Sequence, residues 1–360
     1  MTRGVHLVGS MPFENEEAAM AKALDIAGER LVVALPDGEI GQKSASYPCG
    51  ERASWVQVII DRCQRDTAHW KVTRHSQLGE SGFPASYDAA PRLTPKVSPK
   101  TMHEHLDFGW LDAFRSSYPV FKRLRERKNL PALKFQVGLP TGMGVTFAMM
   151  SPVNAMRYAS AFARRMAFEA NAILDEADPG DIAFQVEVPG ELTLAYRLPR
   201  WLHRIAVGGV VDLLKQVRPE APFGVHLCFG DLNNEALIRA GSLIPAVNFA
   251  NTLISRWPAS HELAYVHFPL AEAASPPSMD PAHYAPLGDL KLPPGVRFVA
   301  GFVHERIDMD EHRRLLEIVE GARGGPVDVA SSCGLGRRSS NVAQKLIETA
   351  THLAEAAPPS

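Results

Sequence analysis

Cysteine is scarce: the 360 residues hold four, Cys49, Cys63, Cys228 and Cys333. That excludes a disulfide-stapled scaffold, and each thiol has to be read on its own. Long apolar runs are missing as well. No stretch approaches the roughly 20 residues that span a bilayer, and residues 1–12 hold no apolar run of signal-peptide length. A cytoplasmic protein with no membrane partner is therefore expected, and cytoplasmic thiols stay reduced and free to bind metal. Excess charge of either sign is missing too, since the formal net charge is -2. Lys and Arg are scattered, and their densest run, residues 122–128, closes a predicted helix. No nucleic-acid partner is expected from such a distribution.

What is present is a chain 46% hydrophobic and 22% charged, enough for a large buried core. Short apolar runs alternate with helical patterns. Strands are predicted over 4–9, 31–35, 133–137, 182–188, 223–228, 264–267, 296–302 and 327–330. Helices are predicted over 15–27, 55–63, 110–127, 152–176, 199–217, 233–239, 308–320 and 341–356. Strands that each lead to a helix or a long connection predict an α/β fold, a single (β/α)8 TIM barrel over 1–360. A doubly wound open sheet is the competing architecture. Residues 73–109 carry Pro84, Pro91, Pro95 and Pro99 and no clean periodicity. They read as an irregular excursion after the second strand that passes over the barrel mouth as a lid.

The chemistry centres on Gly224-Val225-His226-Leu227-Cys228-Phe229-Gly230-Asp231. On a strand, His226 and Cys228 are two apart and point the same way. An imidazole and a thiolate side by side form half of a zinc site, and Cys333 is the candidate third ligand. The plain alternative is a core histidine beside an inert thiol. Other polar residues also follow predicted strands: Ser10, Asp37, Glu39, Thr141, Thr146, Glu187, His267 and His304. In a barrel all of them converge on the rim where active sites lie.

These segments resemble the catalytic barrel of cobalamin-independent methionine synthase, within the uroporphyrinogen decarboxylase-like superfamily. Gly9-Ser10-Met11-Pro12 resembles its opening Gly-Ser-Phe-Pro, and Asp37-Gly38-Glu39 its Gly-Glu segment. Residues 140–146 resemble its Thr-Gly-Pro-Val-Thr loop, and Gln185-Val186-Glu187-Val188-Pro189 its Gln-Ile-Asp-Glu-Pro. His226-Leu227-Cys228 resembles the His-x-Cys zinc pair, and residues 332–338 the segment with the last zinc cysteine. The resemblance implies zinc held by His226, Cys228 and Cys333. It puts His267 on the strand where the family has a Glu ligand. It implies substrate binding by Ser10, Asp37, Glu39, Thr141, Thr146 and Glu187, with Glu187 and His304 as catalytic groups. Departures are clear: there is a single barrel, Glu187-Val188-Pro189 lacks one carboxylate, and Gln42 stands where the family has Arg.

The function implied is zinc-dependent methyl or alkyl transfer to a thiol. A metal-bound thiolate would attack methyl-folate or another alkyl donor, an epoxide included. The partners are then a small-molecule thiol and that donor. The alternatives are a zinc hydrolase or lyase that uses metal-activated water, and a barrel that only binds ligands.

Overall fold

Ile182–Glu187, strand β5 in the numbering below, shows how the sheet is built. Its side chains are buried on both faces up to the terminal Glu187, as expected of a parallel strand covered by helices. The computed structural model describes residues 2–53, 55–79 and 83–356. In chain order they form α1 (Glu16–Ile26), β1 (Ala34–Pro36), α2 (Trp55–Arg65), β2 (Trp70–Arg74) and β3 (Arg92–Pro95). Next come α3 (Trp110–Arg127), β4 (Lys134–Pro140), α4 (Gly142–Met149), α5 (Pro152–Glu176) and β5. Then follow α6 (Pro189–Arg197), α7 (His203–Gln216), β6 (Phe223–His226), α8 (Ile244–Ser255) and β7 (Leu263–Pro269). The rest are α9 (Pro281–Tyr284), β8 (Arg297–Val303), α10 (Met309–Arg323), β9 (Asp328–Ser331) and α11 (Ser340–Glu355).

The main sheet has seven parallel strands in the order β1-β4-β5-β6-β7-β8-β9, so the fold is α/β and barrel-like. The expected first strand, 4–9, is not one. Val5 makes single parallel bridges to Leu31, shortly before the edge strand β1, and to Val329 within the other edge strand, β9. Beyond His6, whose N–H donates to the Val329 carbonyl at 2.9 Å, the segment is held by side chains. The Gln136 amide donates to the carbonyls of Leu7 and Val8 at 3.1 and 2.8 Å, and the Gln185 amide to Val8 at 2.6 Å. Interior glutamines on β4 and β5 thus replace a ladder, and they satisfy buried carbonyls that would otherwise be costly. Arg3 ties the same end to α10 through a buried double contact with Glu320, at 2.6 and 2.7 Å.

Three more expectations change. The helix expected over 233–239 is absent. Asn233 and Asn234 adopt left-handed φ of 53° and 61°, and the chain doubles back through a Leu232–Glu235 bridge. Asn tolerates that region, and helices cannot continue through it. The helix expected over 199–217 divides into a 3-10 turn, Arg200–Leu202, and α7. The excursion over 73–109, of which 80–82 lie outside the described residues, is partly regular. It includes most of the antiparallel β2–β3 ribbon and a 3-10 turn at Tyr87–Ala89.

Candidate metal centre and the adjoining cleft

β6 ends at His226, paired with Glu187 at the end of β5 and with His267 on β7. The chain stays extended through Cys228 and turns at Gly230, φ 82°. Cys333 arrives from the loop after β9. One ligand atom from each of His226, Cys228 and Cys333 lies within 4.8 Å of the others. The Cys228 and Cys333 sulfurs are 3.6 Å apart, and Cys333 Sγ is 3.7 Å from His226 Nε2. The Gly230 N–H donates to Cys228 Sγ at 3.2 Å.

His267 lies behind this group. Its Nε2 is 2.9 Å from the Ser331 carbonyl, which can only accept, so Nε2 carries the proton. Burial, with the charge of His226, holds His267 well below the usual imidazole range, so the ring is neutral. Its Nδ1 therefore accepts from His226 Nδ1, 2.8 Å away. That leaves His226 Nε2 as the nitrogen turned to the sulfurs, the arrangement of a metal ligand with an oriented second nitrogen. The sulfurs match. The Cys333 thiol, donating to Cys228, brings the Cys228 thiol down to about 5 together with His226 and against burial. The same bond raises Cys333 well above the usual thiol range. Burial would lower His226, but the Cys228 thiolate and Glu187 outweigh it and raise it. A cation among these atoms would take the place of those protons.

Through Glu187, the ladder neighbour of His226, this group adjoins a cleft lined also by Asp37, Glu39, Arg52, Trp55 and Trp110 among others. Its floor is Gly138. A Cβ there would stand 3.0 Å from Glu187 Oε1 and 3.3 Å from Glu39 Oε1, so the two carboxylates converge over it. Glu39 is held at φ 51°, which is rare outside glycine and marks a constrained position. Burial and then the Glu187 charge push Glu39 well above the usual carboxylate range, and burial pushes Glu187 up to about 7. Asp37 differs. Burial opposes its charge, but Arg52, at 2.5 and 3.3 Å, outweighs burial and holds it low.

Ser10 packs beside the Cys333 loop, where its carbonyl accepts from Leu335 at 2.7 Å and its hydroxyl from Gly336 at 3.3 Å. The chain turns straight from β4 into α4, so Thr141 caps that helix by accepting from the Gly144 N–H at 2.9 Å. Thr146 donates to main-chain carbonyls of Met143 and Ala155. His304 is spent on main chain as well: Nε2 faces the Ala273 carbonyl at 3.0 Å, and Nδ1 accepts from Arg306 at 3.1 Å.

The sequence matches no protein-family model and no curated protein. Among solved structures the chain is similar to a methyltransferase from Methanosarcina mazei. That match has 11% identity and a TM-score of 0.45, and covers 98% of this chain and 93% of the other. It is also similar to a protein assigned as a vitamin-B12-independent methionine synthase from Listeria monocytogenes. There the identity is 10% and the TM-score 0.38, over 64% of this chain and 66% of the other. At such identities neither neighbour assigns a reaction to this chain.

Several residues of the cleft gave no signal in the sequence. Arg52 comes from the connection after β1, Trp55 opens α2, and Trp110 opens α3. The excursion itself reaches the site. The Tyr87 hydroxyl accepts from the Leu232 N–H at 3.0 Å and donates to the Glu235 carbonyl at 3.1 Å, and so straps the loop that follows Cys228. The Asn233 amide donates to the Pro84 carbonyl at 2.8 Å. Arg337 reaches over the Phe83 ring at 4.6 Å. Among the described residues no helix is long and apolar enough to cross a membrane.

Proposed function

We propose that the protein is a zinc-dependent thiol methyl- or alkyltransferase of the cytoplasm, a single-barrel relative of the methionine-synthase-like enzymes. In this reading the segment around Val5 takes the place of the missing barrel strand. The observation that carries the reading is the convergence of His226 Nε2, Cys228 Sγ and Cys333 Sγ beside a cleft floored by two carboxylates. One imidazole and two thiolates suit zinc and leave a position for substrate. When bound, zinc would lower the pKa of a substrate thiol so that it is a thiolate at neutral pH.

The chain's own residues do the rest. His226, Cys228 and Cys333 hold the ion, and His267 fixes the tautomer of His226 rather than serving as a fourth ligand. Glu39 and Glu187 bind the part of the substrate that carries positive charge or hydroxyls. The Tyr87 strap limits water at the sulfurs, which strengthens electrostatic contacts inside. The acceptor is a small thiol, and the donor methyl-folate or another alkyl compound. One observation favours a second reading. Glu187, pushed up to about 7 beside the donors, has the pKa of a general base, which a zinc hydrolase or lyase would need.

The test is elemental analysis of protein purified without chelator or metal-binding tag, followed by turnover assays with and without added thiol. Near-stoichiometric zinc, lost in Cys333→Ser with the fold retained, together with thiol-dependent product, is the expected result. Turnover without thiol would move the assignment to the hydrolase. Refusal of added zinc by the intact chain would overturn both readings.

A further inference from the structure

The cleft that Glu187 links to the metal group joins two features that share one class of ligand. Trp55 and Trp110 stand at its wall with ring centroids 6.0 Å apart and planes at 74°, an aromatic corner. Phe108 backs Trp110 at 6.3 Å. Trp110 is locked in place, since its indole N–H donates to the Gly138 carbonyl at 2.6 Å. The carboxylates of Glu39 and Glu187, which line the same cleft, converge over Gly138. Among the described residues the one guanidinium lining the cleft, Arg52, is committed to Asp37 through both terminal nitrogens. Aromatic rings beside a pair of carboxyl groups that share negative charge attract cations and repel anions.

We propose that this cleft seats the positive centre of an onium alkyl donor, a methylated sulfonium or quaternary ammonium compound. The proposal rests on the thiol alkyl-transfer reading and names its donor class. In the step, a lone pair of the acceptor thiolate forms the new S–C bond to the methyl carbon. The C–S⁺ or C–N⁺ bond breaks, and its electron pair stays on the heteroatom. The donor leaves as a neutral sulfide or tertiary amine, the acceptor becomes a thioether, and no proton has to move. Opposite charges disappear as the bond forms, so a site shielded from water favours this transfer. The protonated amine of an amino-acid thiol is the other cation of suitable size. Its N–H groups ask for several acceptors, whereas a methylated onium centre asks for aromatic faces, and the wall of this cleft is aromatic.

The experiment is ligand titration of the full chain by calorimetry and tryptophan fluorescence, before and after zinc addition. The probes are choline, its uncharged isostere 3,3-dimethylbutan-1-ol, and ethanolamine as the primary ammonium. Choline is expected to bind about tenfold more tightly than either of the others, with or without zinc. Gly138→Ala, which places a methyl between the carboxylates, and Trp55→Leu should each weaken choline about tenfold while zinc uptake is unchanged. Equal binding of the uncharged isostere would overturn the proposal. Tighter binding of ethanolamine would also overturn it and make the cleft an amine site. Choline binding by a chain that refuses zinc would uphold the cation site and refute the metal chemistry alone. Zinc uptake without choline binding would refute the cation site alone.

Discussion

At the scale of single residues, the decisive group is one whose contacts differ from its expected role. His267 occupies the strand position that the resemblance gives to a ligand, yet one nitrogen faces the Ser331 carbonyl and the other faces His226. It therefore acts on the site through His226. His267→Leu removes the acceptor for His226 Nδ1, so the ring loses its fixed tautomer. Zinc affinity, measured by competition with a chromogenic chelator, should fall about 10–100-fold. His267→Gln, whose amide oxygen can still accept, should recover most of it. An unchanged affinity in the leucine variant would show that the tautomer is set elsewhere.

At the scale of elements, the strap is where the excursion gains a role. Tyr87→Phe removes the hydroxyl bonded to Leu232 and Glu235. A hydrogen bond of this kind contributes about 1 kcal/mol. Hydrogen exchange of the Leu232 amide should quicken several-fold while the global unfolding midpoint barely moves. Exchange at the native rate would show that Tyr87 does not pin the loop. The same elements explain what could be read in advance. His226 and Cys228 were legible because a strand has period two, and all seven strands of the main sheet lie within a few residues of their predicted places. Thr141 and Thr146 follow a strand as expected, but α4 begins at Gly142 and turns both hydroxyls to backbone. Trp55, Trp110 and Arg52 obey no spacing rule, because helix packing and a long connection bring them to the cleft. The segment 4–9 has the composition of a strand. Its Leu7 and Val8 carbonyls are taken by glutamine side chains, a partner choice that local pattern does not encode.

At the scale of the whole molecule, stability is linked to pH through a group outside the proposed metal site. Glu191, in the first turn of α6, is fully buried, with the Thr141 side chain and its own backbone N–H as polar neighbours. Burial pushes it up to about 7 from 4.5, with Thr141 pulling weakly the other way. The folded state holds this proton more tightly, so the contribution to stability is present below the unfolded value and is lost as pH rises through about 7. Glu191→Gln should therefore be more stable than the native chain at pH 8, by roughly 1–3 kcal/mol in urea unfolding, and nearly equal to it at pH 4.5. An equal difference at both pH values would remove Glu191 as the cause. A last consequence comes from the way the sheet closes. Val5 bridges Leu31 and Val329, so the segment before α1 meets β9 only after more than 300 further residues have been made. Cys333 trails Cys228 by 105 residues, which at ribosomal speed is a delay on the order of 10 s. A nascent chain thus carries the His226–Cys228 pair without Cys333 throughout that interval, and the three side chains can meet only after Cys333 has been translated.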